Sequence, residues 1–169
     1  MRTVLLAALA ATSFARSAAA DDKPSPQLQQ LRMWIGTWSG KGTITSEGKT
    51  HQVTMVYDCT ESAGAAGVKC RSKILGLPGF TYEFDDLWGY SAADSLVHWY
   101  TVTNAGEVHD HRGHLDASGG YVVAELPADG KLFSEQITFK RRPKATTISW
   151  VTYVGTDVRE RGQIDLVLK

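Results

Sequence analysis

The stretch Trp34-Ile35-Gly36-Thr37-Trp38-Ser39-Gly40-Lys41-Gly42 marks the point where the periodicity of this sequence changes. Up to Ile35, apolar residues recur at spacings of three and four, which is the pattern of one helix face. These residues are Leu28, Leu31, Trp34 and Ile35. Gly36 tolerates left-handed dihedral angles and is predicted to end this helix. From Thr37 onward the period is two, as in a β-strand. The stretch therefore predicts one short helix that leads directly into the first strand of a sheet.

The remaining sequence is a run of strand-like segments separated by turn signals. The segments are rich in β-branched and aromatic residues, and this pattern indicates about ten strands joined as successive hairpins. No connection is long enough to hold a crossover helix, so neighbouring strands should be antiparallel. Such a meander closes most naturally on itself. We therefore predict a mainly β fold, an antiparallel up-and-down barrel of about ten strands, with one short N-terminal helix covering an end.

Residues 1–20 have the three parts of a secretory signal peptide. Met1-Arg2 gives a positively charged start, Val4 to Ala11 form an apolar run, and Ala18-Ala19-Ala20 offer a small-residue cleavage site. We therefore predict export to the periplasm or the extracellular space. An uncleaved membrane anchor is disfavoured, because a bilayer span needs about 20 predominantly apolar residues and Arg16 interrupts the run.

The exported chain is predicted to consist of a flexible lead, residues 21–27, and a single β-barrel domain, residues 28–169. Pro24 and Pro26 make the lead too polar and proline-rich to bury anything. All 18 acidic residues but only 16 of the 18 basic residues follow residue 20, so the exported chain carries a formal net charge of −2. This balance gives no field that would attract nucleic acid or an anionic membrane, and we expect neither nucleic-acid binding nor membrane insertion.

Cys59 and Cys70 are the two cysteines of the sequence. They are equidistant from the centre of the connection over residues 61–68, so a symmetric hairpin places them opposite each other on one face. Exported proteins meet an oxidising compartment, and a disulfide is therefore the favoured interpretation. Two buried free thiols are the alternative, whereas a redox-active pair is disfavoured because the Cys-x-x-Cys spacing is absent.

Alternation along the segments predicts which side chains face the barrel interior. Lys69, Arg71 and Lys73 form a cationic row that should face solvent, and the residues between them should face inward. An aromatic row of one parity follows: Phe80, Tyr82, Phe84, Trp88 and Tyr90. A barrel of about eight strands is just filled by its side chains or holds one small ligand. Ten strands therefore predict a cavity lined by aromatic rings.

The residues Gly36, Trp38, Gly40 and Gly42 resemble the Gly-x-Trp-x-Gly-x-Gly entrance of the calycin group. Within that group the sequence most resembles a lipocalin-like family of exported bacterial proteins of unassigned function, and it resembles nitrobindin-like barrels more distantly. Gly89-Tyr90, Trp99 and Lys131-Leu132 lie where that second family places a turn entry, a strand tryptophan and a late hairpin. The resemblance extends from Leu28 to the C-terminus. It implies a ten-stranded antiparallel barrel that can hold a small apolar molecule.

Haem binding is the point at which the sequence departs from the nitrobindin-like pattern. Nitrobindin-like proteins bind haem through a histidine near the C-terminus, whereas the matching region here, Val158 to Lys169, contains no histidine. Without an axial ligand, haem would lose its main anchor. We therefore assign no cofactor and keep haem as an alternative.

The run His109-Asp110-His111-Arg112-Gly113-His114 is the sequence feature that most suggests a metal. On a strand, His109 and His111 share one face and His114 lies on the other. A third ligand would then have to come from His98 on the preceding strand.

The turn that follows His98 decides whether these histidines meet. A three-residue turn, Asn104-Ala105-Gly106, pairs Thr103 with Glu107 and keeps His98 away from the other two, whereas a two-residue turn brings all three together. Gly106 suits the three-residue bulged turn. We therefore expect no metal site, and the alternative candidates are His98, His109 and His111.

Asp86 and Glu135 share parity with apolar and aromatic neighbours, and both are predicted to point inward. Desolvation should then raise the pKa of each carboxyl group. Two carboxylates in unequal environments could support acid–base chemistry. A bulge near Asp85 would instead turn one of them outward. Ligand contact or structural pairing is favoured over catalysis, and no catalytic residue is assigned.

The sequence as a whole favours an exported binding module for a small apolar or aromatic molecule. Two alternatives remain: an enzyme that uses haem or the interior carboxylates, and a structural or interaction domain with a packed interior. The predicted ligand-contacting residues are Tyr82, Phe84, Asp86, Trp88, Tyr90, Trp99, Glu135 and Trp150.

Overall fold

The computed structural model of the protein describes residues 25–128 and 130–169. The predicted signal peptide and residues 21–24 of the predicted lead lie outside the described residues. The elements of the described part are α1 Pro26–Arg32, β1 Gly36–Ser46, β2 Lys49–Ser62, β3 Gly67–Leu77, β4 Phe80–Ser91, β5 Leu96–Thr103, β6 Val108–Asp116, β7 Gly119–Ala128, β8 Lys131–Arg142, β9 Ala145–Val154 and β10 Asp157–Leu168.

The ten strands form one closed antiparallel barrel. Each strand pairs with its neighbours in sequence, and β1 completes the ring by pairing with β10, from Trp38 opposite Leu168 to Ser46 opposite Glu160. A closed ring leaves no sheet edge exposed. The predicted up-and-down barrel with one short helix is confirmed. In the described part of the chain, the helix is too short to span a bilayer.

The closure between β1 and β10 depends on two glycines of the opening motif. A Cβ atom on Gly40 would lie 1.7 Å from the backbone oxygen of Asp165, and one on Gly42 would lie 1.9 Å from that of Gln163. Any side chain at either position would therefore push the two strands apart. The glycines allow a close approach of backbones.

Helix α1 begins two residues before the predicted start and ends three residues before the predicted end. Ser25 caps it by accepting a hydrogen bond from the Leu28 amide at 3.2 Å, and Pro26 at the first helical position favours this start. After Arg32 the chain tightens into i→i+3 hydrogen bonds, including Trp34 N to Leu31 O at 3.0 Å. Gly36 has a φ of +123° and opens β1 instead of ending the helix.

The helix and the turn after it cover one end of the barrel, as predicted. Leu31 is fully buried and Trp34 is 1% exposed. The Trp34 ring stacks on Trp88 with centroids 5.7 Å apart and meets Phe139 edge-on at 5.4 Å. The guanidinium of Arg141 lies 5.1 Å from the Trp34 ring centroid, as in a cation–π contact. We call this end of the interior the aromatic floor: Trp34, Trp38, Trp88 and Phe139.

Cys59 and Cys70 form a disulfide between β2 and β3, which confirms the predicted pairing. The two residues are directly opposite in the strand register and both are buried. The disulfide therefore joins two interior positions near the helix-covered end. Disulfides persist in oxidising compartments, so this bond indicates a location outside the cytoplasm.

The aromatic row of β4 faces inward except at its first residue. Phe80 is 43% exposed, whereas Trp88 is 1% exposed. Phe80 pairs with Leu77 at the tight β3–β4 hairpin, beyond a register shift that follows Ile74. At the end of a hairpin the strand no longer faces an opposing barrel wall, so the ring lies at the surface.

Candidate ligand cavity

The barrel interior is filled at the aromatic floor and hollow toward the opposite end. The hollow is a cavity of about 260 Å³ that extends to residues near the hairpin turns, including Ser46, Leu77, Ala105 and Arg159. At about 30 Å³ per water molecule, this volume equals roughly nine waters. The alternative of a fully packed interior is therefore wrong for this barrel. We call the hairpin end of the cavity the mouth.

Aromatic and aliphatic side chains together make up most of the cavity wall, and the aromatic ones are Tyr57, Tyr82, Phe84, Trp88, Trp99, Phe133, Phe139 and Trp150. Trp88 and Trp99 stack with ring centroids 4.3 Å apart and planes 12° apart. His111 continues the stack, with its ring centroid 4.7 Å from that of Trp99. These rings come from the adjacent strands β4, β5 and β6, which place them in one cross-strand row.

The predicted ligand-contacting residues divide into two groups. Those that line the cavity are Tyr82, Phe84, Trp88, Trp99, Glu135 and Trp150. Asp86 and Tyr90 do not line it. Tyr90 lies two residues beyond Trp88 toward the helix, and the contact of Trp88 with Trp34 separates it from the hollow. Asp86 points inward as predicted but is enclosed within the wall.

Two hydroxyl groups hold Asp86 in the wall. Its Oδ2 accepts a hydrogen bond from the Tyr57 hydroxyl at 2.8 Å, and its Oδ1 accepts one from the Thr101 hydroxyl at 2.7 Å. Trp88 Nε1 in turn donates to the Tyr57 hydroxyl oxygen at 3.0 Å. Asp86 is only 2% exposed. The group therefore ties β2, β4 and β5 together behind the cavity surface.

Burial raises the pKa of Asp86 to about 6, against the opposing effect of the Trp99 indole and the Thr101 and Tyr57 hydroxyls. The pKa of Tyr57 also lies well above its ordinary value, because the ring is fully buried and adjoins Asp86. The rise predicted for the Asp86 pKa is therefore confirmed. Its cause is desolvation, which outweighs these hydrogen bonds and the lowering effect of the nearby His111.

A second polar cluster, which we call the His–Glu cluster, lies on the cavity wall and consists of His109, His111 and Glu135. His109 Nδ1 lies 3.1 Å and His111 Nε2 lies 2.6 Å from the same carboxylate oxygen, Glu135 Oε2. His111 is 1% exposed and the Glu135 side chain 16%. Sequence reasoning placed Glu135 inside the barrel but did not identify its two partners.

The two interior carboxylates have pKa values shifted in opposite directions. Burial alone would raise the pKa of Glu135, but hydrogen bonds from His109 and His111 outweigh burial and lower this pKa to about 2. Burial would lower the pKa of His109, yet Glu135 beside it produces a net rise. The predicted rise in pKa is therefore wrong for Glu135, because two imidazoles stabilise its charged form.

The predicted three-residue turn between β5 and β6 is confirmed. The Thr103 amide donates to the Glu107 backbone oxygen at 3.0 Å, and Gly106 has a φ of +82°. In this register His98 does not face the cavity: its Nε2 lies 2.9 Å from Asp94 Oδ2. His98 therefore does not join His109 and His111, as the sequence predicted.

Two further carboxylates lie near the mouth. Glu107 Oε2 accepts a hydrogen bond from the Tyr82 hydroxyl at 2.9 Å, and Glu160 Oε1 accepts one from Trp150 Nε1 at 2.8 Å. Burial raises the pKa of Glu160, while the Trp150 indole opposes the rise. Sequence reasoning missed both residues, although parity carried the signal: Glu107 alternates in phase with His109, and Glu160 with the inward residues of β10.

Comparisons with known proteins support the fold and do not extend beyond it. No protein-family model and no curated protein matches this sequence. Among solved structures, the S-type phycobiliprotein lyase CPES from Guillardia theta is similar, with a TM-score of 0.57 and 10% sequence identity. The match covers 85% of this chain and 93% of that chain. At this identity the likeness concerns the fold alone.

Proposed function

We propose that this protein is an exported barrel that binds one small, mainly apolar molecule with an aromatic ring. The observation that carries this proposal is the hollow inside the closed barrel, about 260 Å³ in volume and lined mostly by aromatic and aliphatic side chains. Ligand pockets usually combine apolar walls with a few well-placed polar groups. The His–Glu cluster would supply those polar groups here.

The size of the cavity limits the ligand. Pockets for drug-sized molecules occupy about 300–1,000 Å³, and this cavity lies just below that range. A molecule with one or two rings fits such a volume. The stacked rings of Trp88, Trp99 and His111 offer flat surfaces on which a planar ligand can pack.

Binding is better supported than carboxylate-based catalysis. Asp86 is enclosed by Tyr57 and Thr101 and does not line the cavity, so it cannot reach a molecule bound there. Glu135 does line the cavity but is paired with two histidines. The two carboxyl groups therefore do not face a shared substrate, as an acid–base pair must.

Export is proposed on two observations. The first is the signal-peptide pattern over residues 1–20. The second is the disulfide between Cys59 and Cys70, a bond that forms in oxidising compartments. Detection of the protein in the periplasm or culture medium, starting at Asp21, would support export, and a full-length cytoplasmic protein would contradict it.

Ligand binding can be tested by titrating residues 21–169 with indole, naphthalene and a short-chain fatty acid. Trp88, Trp99 and Trp150 line the cavity, so an aromatic ligand should change tryptophan emission. Native mass spectrometry should show one ligand per chain. A flat response to all three probes, with no small molecule retained by protein from its natural source, would contradict the proposal.

A matched pair of variants locates the binding site. Ile44 lines the cavity and is 3% exposed, whereas Val102 is 55% exposed on the outer surface. Ile44→Phe fills part of the hollow and should weaken binding of the aromatic probe. Val102→Phe adds a ring outside the barrel and should leave binding unchanged. The opposite result would place the ligand outside the cavity.

A further inference from the structure

The His–Glu cluster brings three potential metal ligands to one place on the cavity wall. One ligand atom from each of His109, His111 and Glu135 lies within 4.8 Å of the others. His109 and His111 are buried, and Glu135 is mostly so. In the described part of the chain, both ion pairs of Glu135 are with these histidines. The carboxylate therefore has no lysine or arginine to neutralise it.

Backbone geometry brings these side chains together from two strands that are not adjacent. His109 and His111 alternate inward along β6, and Glu135 lies on β8. Between them, Ala124 of β7 pairs directly with Glu135, and continuing the β6–β7 register by one residue brings Ala124 level with His111. Because alanine has only a methyl side chain, His111 and Glu135 can meet above it.

Both ring nitrogens of His111 have a polar partner, and Nε2 is the nitrogen that faces the carboxylate, where a cation could take the place of the shared proton. Its Nδ1 lies 3.4 Å from the backbone oxygen of Trp99, which can only accept a hydrogen bond. The proton of a neutral ring is then on Nδ1, and the Nε2 lone pair faces Glu135 Oε2 at 2.6 Å. Two acceptors at this distance repel each other, so a proton or a metal ion must lie between them. Metal-binding histidines commonly donate their other ring N–H to a backbone carbonyl in this way.

We propose that His109, His111 and Glu135 bind one divalent transition-metal ion of the zinc or iron(II) class. Two imidazoles and one carboxylate suit these ions, whereas calcium and magnesium prefer oxygen ligands alone. Three protein ligands leave at least one coordination position open. All three residues line the cavity, so the open position faces the hollow. A small molecule with a donor atom could then bind the metal directly while its ring packs against Trp99.

Zinc binding by the untagged chain, residues 21–169, is the primary test. After treatment with a chelator, the protein is titrated with Zn²⁺ by isothermal calorimetry, and one ion per chain is expected. Co²⁺ supplies an independent readout: protein-bound Co²⁺ should give the intense visible absorption of a four- or five-coordinate ion. A folded protein that shows neither zinc binding nor this absorption would overturn the proposal.

Three variants assign the ion to the cluster. Glu135→Gln keeps the side-chain shape, and His111→Ala removes a buried ligand; circular dichroism confirms that each is folded. Each should weaken Zn²⁺ binding by more than the roughly 10- to 100-fold that loss of an outer hydrogen-bond partner costs. His98→Ala is the control, because His98 and its carboxylate partners Asp94 and Asp110 lie outside the cavity.

The control also separates the competing outcomes. Zinc affinity that is lost in His98→Ala and retained in Glu135→Gln would move the ion to the surface and overturn the proposal. Unchanged zinc affinity in Glu135→Gln, with a wild-type Co²⁺ spectrum, would do the same. Aromatic probes that bind equally well without metal would leave the proposed binding function standing, so the two proposals can fail separately.

Discussion

The two ends of the barrel differ in the side chains that occupy them, although the same strands form both ends. At the helix-covered end, the aromatic floor is buried, and Trp34, Trp38 and Trp88 are each less than 5% exposed. At the mouth, carboxylates lie beside the rings: Glu107 accepts a hydrogen bond from Tyr82, and Glu160 accepts one from Trp150. Stacked rings exclude water and stabilise the fold, whereas carboxylates need water or hydrogen-bond donors.

This difference separates stability from binding along the barrel axis. Substitutions in the floor should change the free energy of unfolding, because they open space in a packed region. Substitutions at the mouth should change mainly access to the cavity, since water already reaches that region. Four predictions test this separation, three of them in the floor and wall and one at the mouth.

The largest effect is expected from Trp88→Ala in the floor. Trp88 is 1% exposed and contacts Trp34, Trp99 and Phe139. Truncation should lower the free energy of unfolding by about 3–5 kcal/mol, as for other large aromatic-to-alanine changes in cores. Urea unfolding measures this change. The matched control is Trp150→Ala, whose half-buried ring borders the hollow and should cost less; equal losses would contradict the division into two ends.

The second-largest expected effect is the pH dependence of folding stability that arises from Asp86. Its pKa is raised from 3.8 to about 6, so the folded protein holds this proton more tightly than the unfolded chain does. The associated stability is fully present below about pH 4 and is lost as pH rises through about 6. At about 1.36 kcal/mol per pKa unit, the loss by pH 7 is about 3 kcal/mol.

Asp86→Asn removes this titration and provides the comparison. Urea unfolding of both proteins at pH 3.5 and pH 7 should show the stability of the wild type falling by about 3 kcal/mol relative to the variant. Titration of other groups cancels in the difference. A difference that does not change with pH, or that changes in the wild type's favour as pH rises, would show that desolvation does not dominate at Asp86.

The disulfide should contribute slightly less to the free energy of unfolding than the protonation of Asp86 does. It closes a loop with a sequence separation of 11 residues, and constraint of the unfolded chain by such a loop is worth about 2–3 kcal/mol. The double variant Cys59→Ala/Cys70→Ala should lose that amount in thermal or urea unfolding. Wild-type protein unfolded with a reducing agent present should match the variant. An unchanged midpoint in both cases would mean that the hairpin is fixed without the bond.

The smallest effect is expected at the mouth, from Tyr82→Phe. This change removes only the hydroxyl that donates to Glu107 Oε2 in an exposed hydrogen bond. A solvent-accessible hydrogen bond contributes about 0.5–1.5 kcal/mol, so the loss in urea unfolding should stay near or below 1 kcal/mol. A loss as large as that of Trp88→Ala would show that the mouth is as tightly packed as the floor.

Much of the barrel could be predicted because strand periodicity is local. The alternation of Lys69, Arg71 and Lys73 with apolar neighbours depends only on the pleat of β3, and the structure keeps these cations exposed. The pairing of Cys59 with Cys70 followed from the symmetry of one hairpin. The helix limits were less accurate, because Ser25 and Pro26 set the start more strongly than the apolar spacing did.

The candidate site was predicted less well because its contacts join side chains of different strands. Parity placed Glu135 inside and placed His109 and His111 on one face of their strand, but parity cannot show which side chains meet. Likewise, the pKa of Glu135 was predicted to rise on burial alone, and the histidines that lower it come from another strand. Parity also could not show that Tyr90 lies away from the cavity, since the contact that separates it from the hollow joins Trp88 to Trp34 of a different element.

The sequence by itself determined the number of strands, their antiparallel order, the disulfide and the inward parity of the aromatic rings. These follow from the two-residue pleat and from short hairpins, which are local properties of the chain. Only the tertiary structure decided that the interior is hollow at one end, and that Glu135 meets His109 and His111. The reason is that β6 and β8 both pair with β7, so that their side chains meet across the small side chain of Ala124, a contact that no sequence spacing encodes.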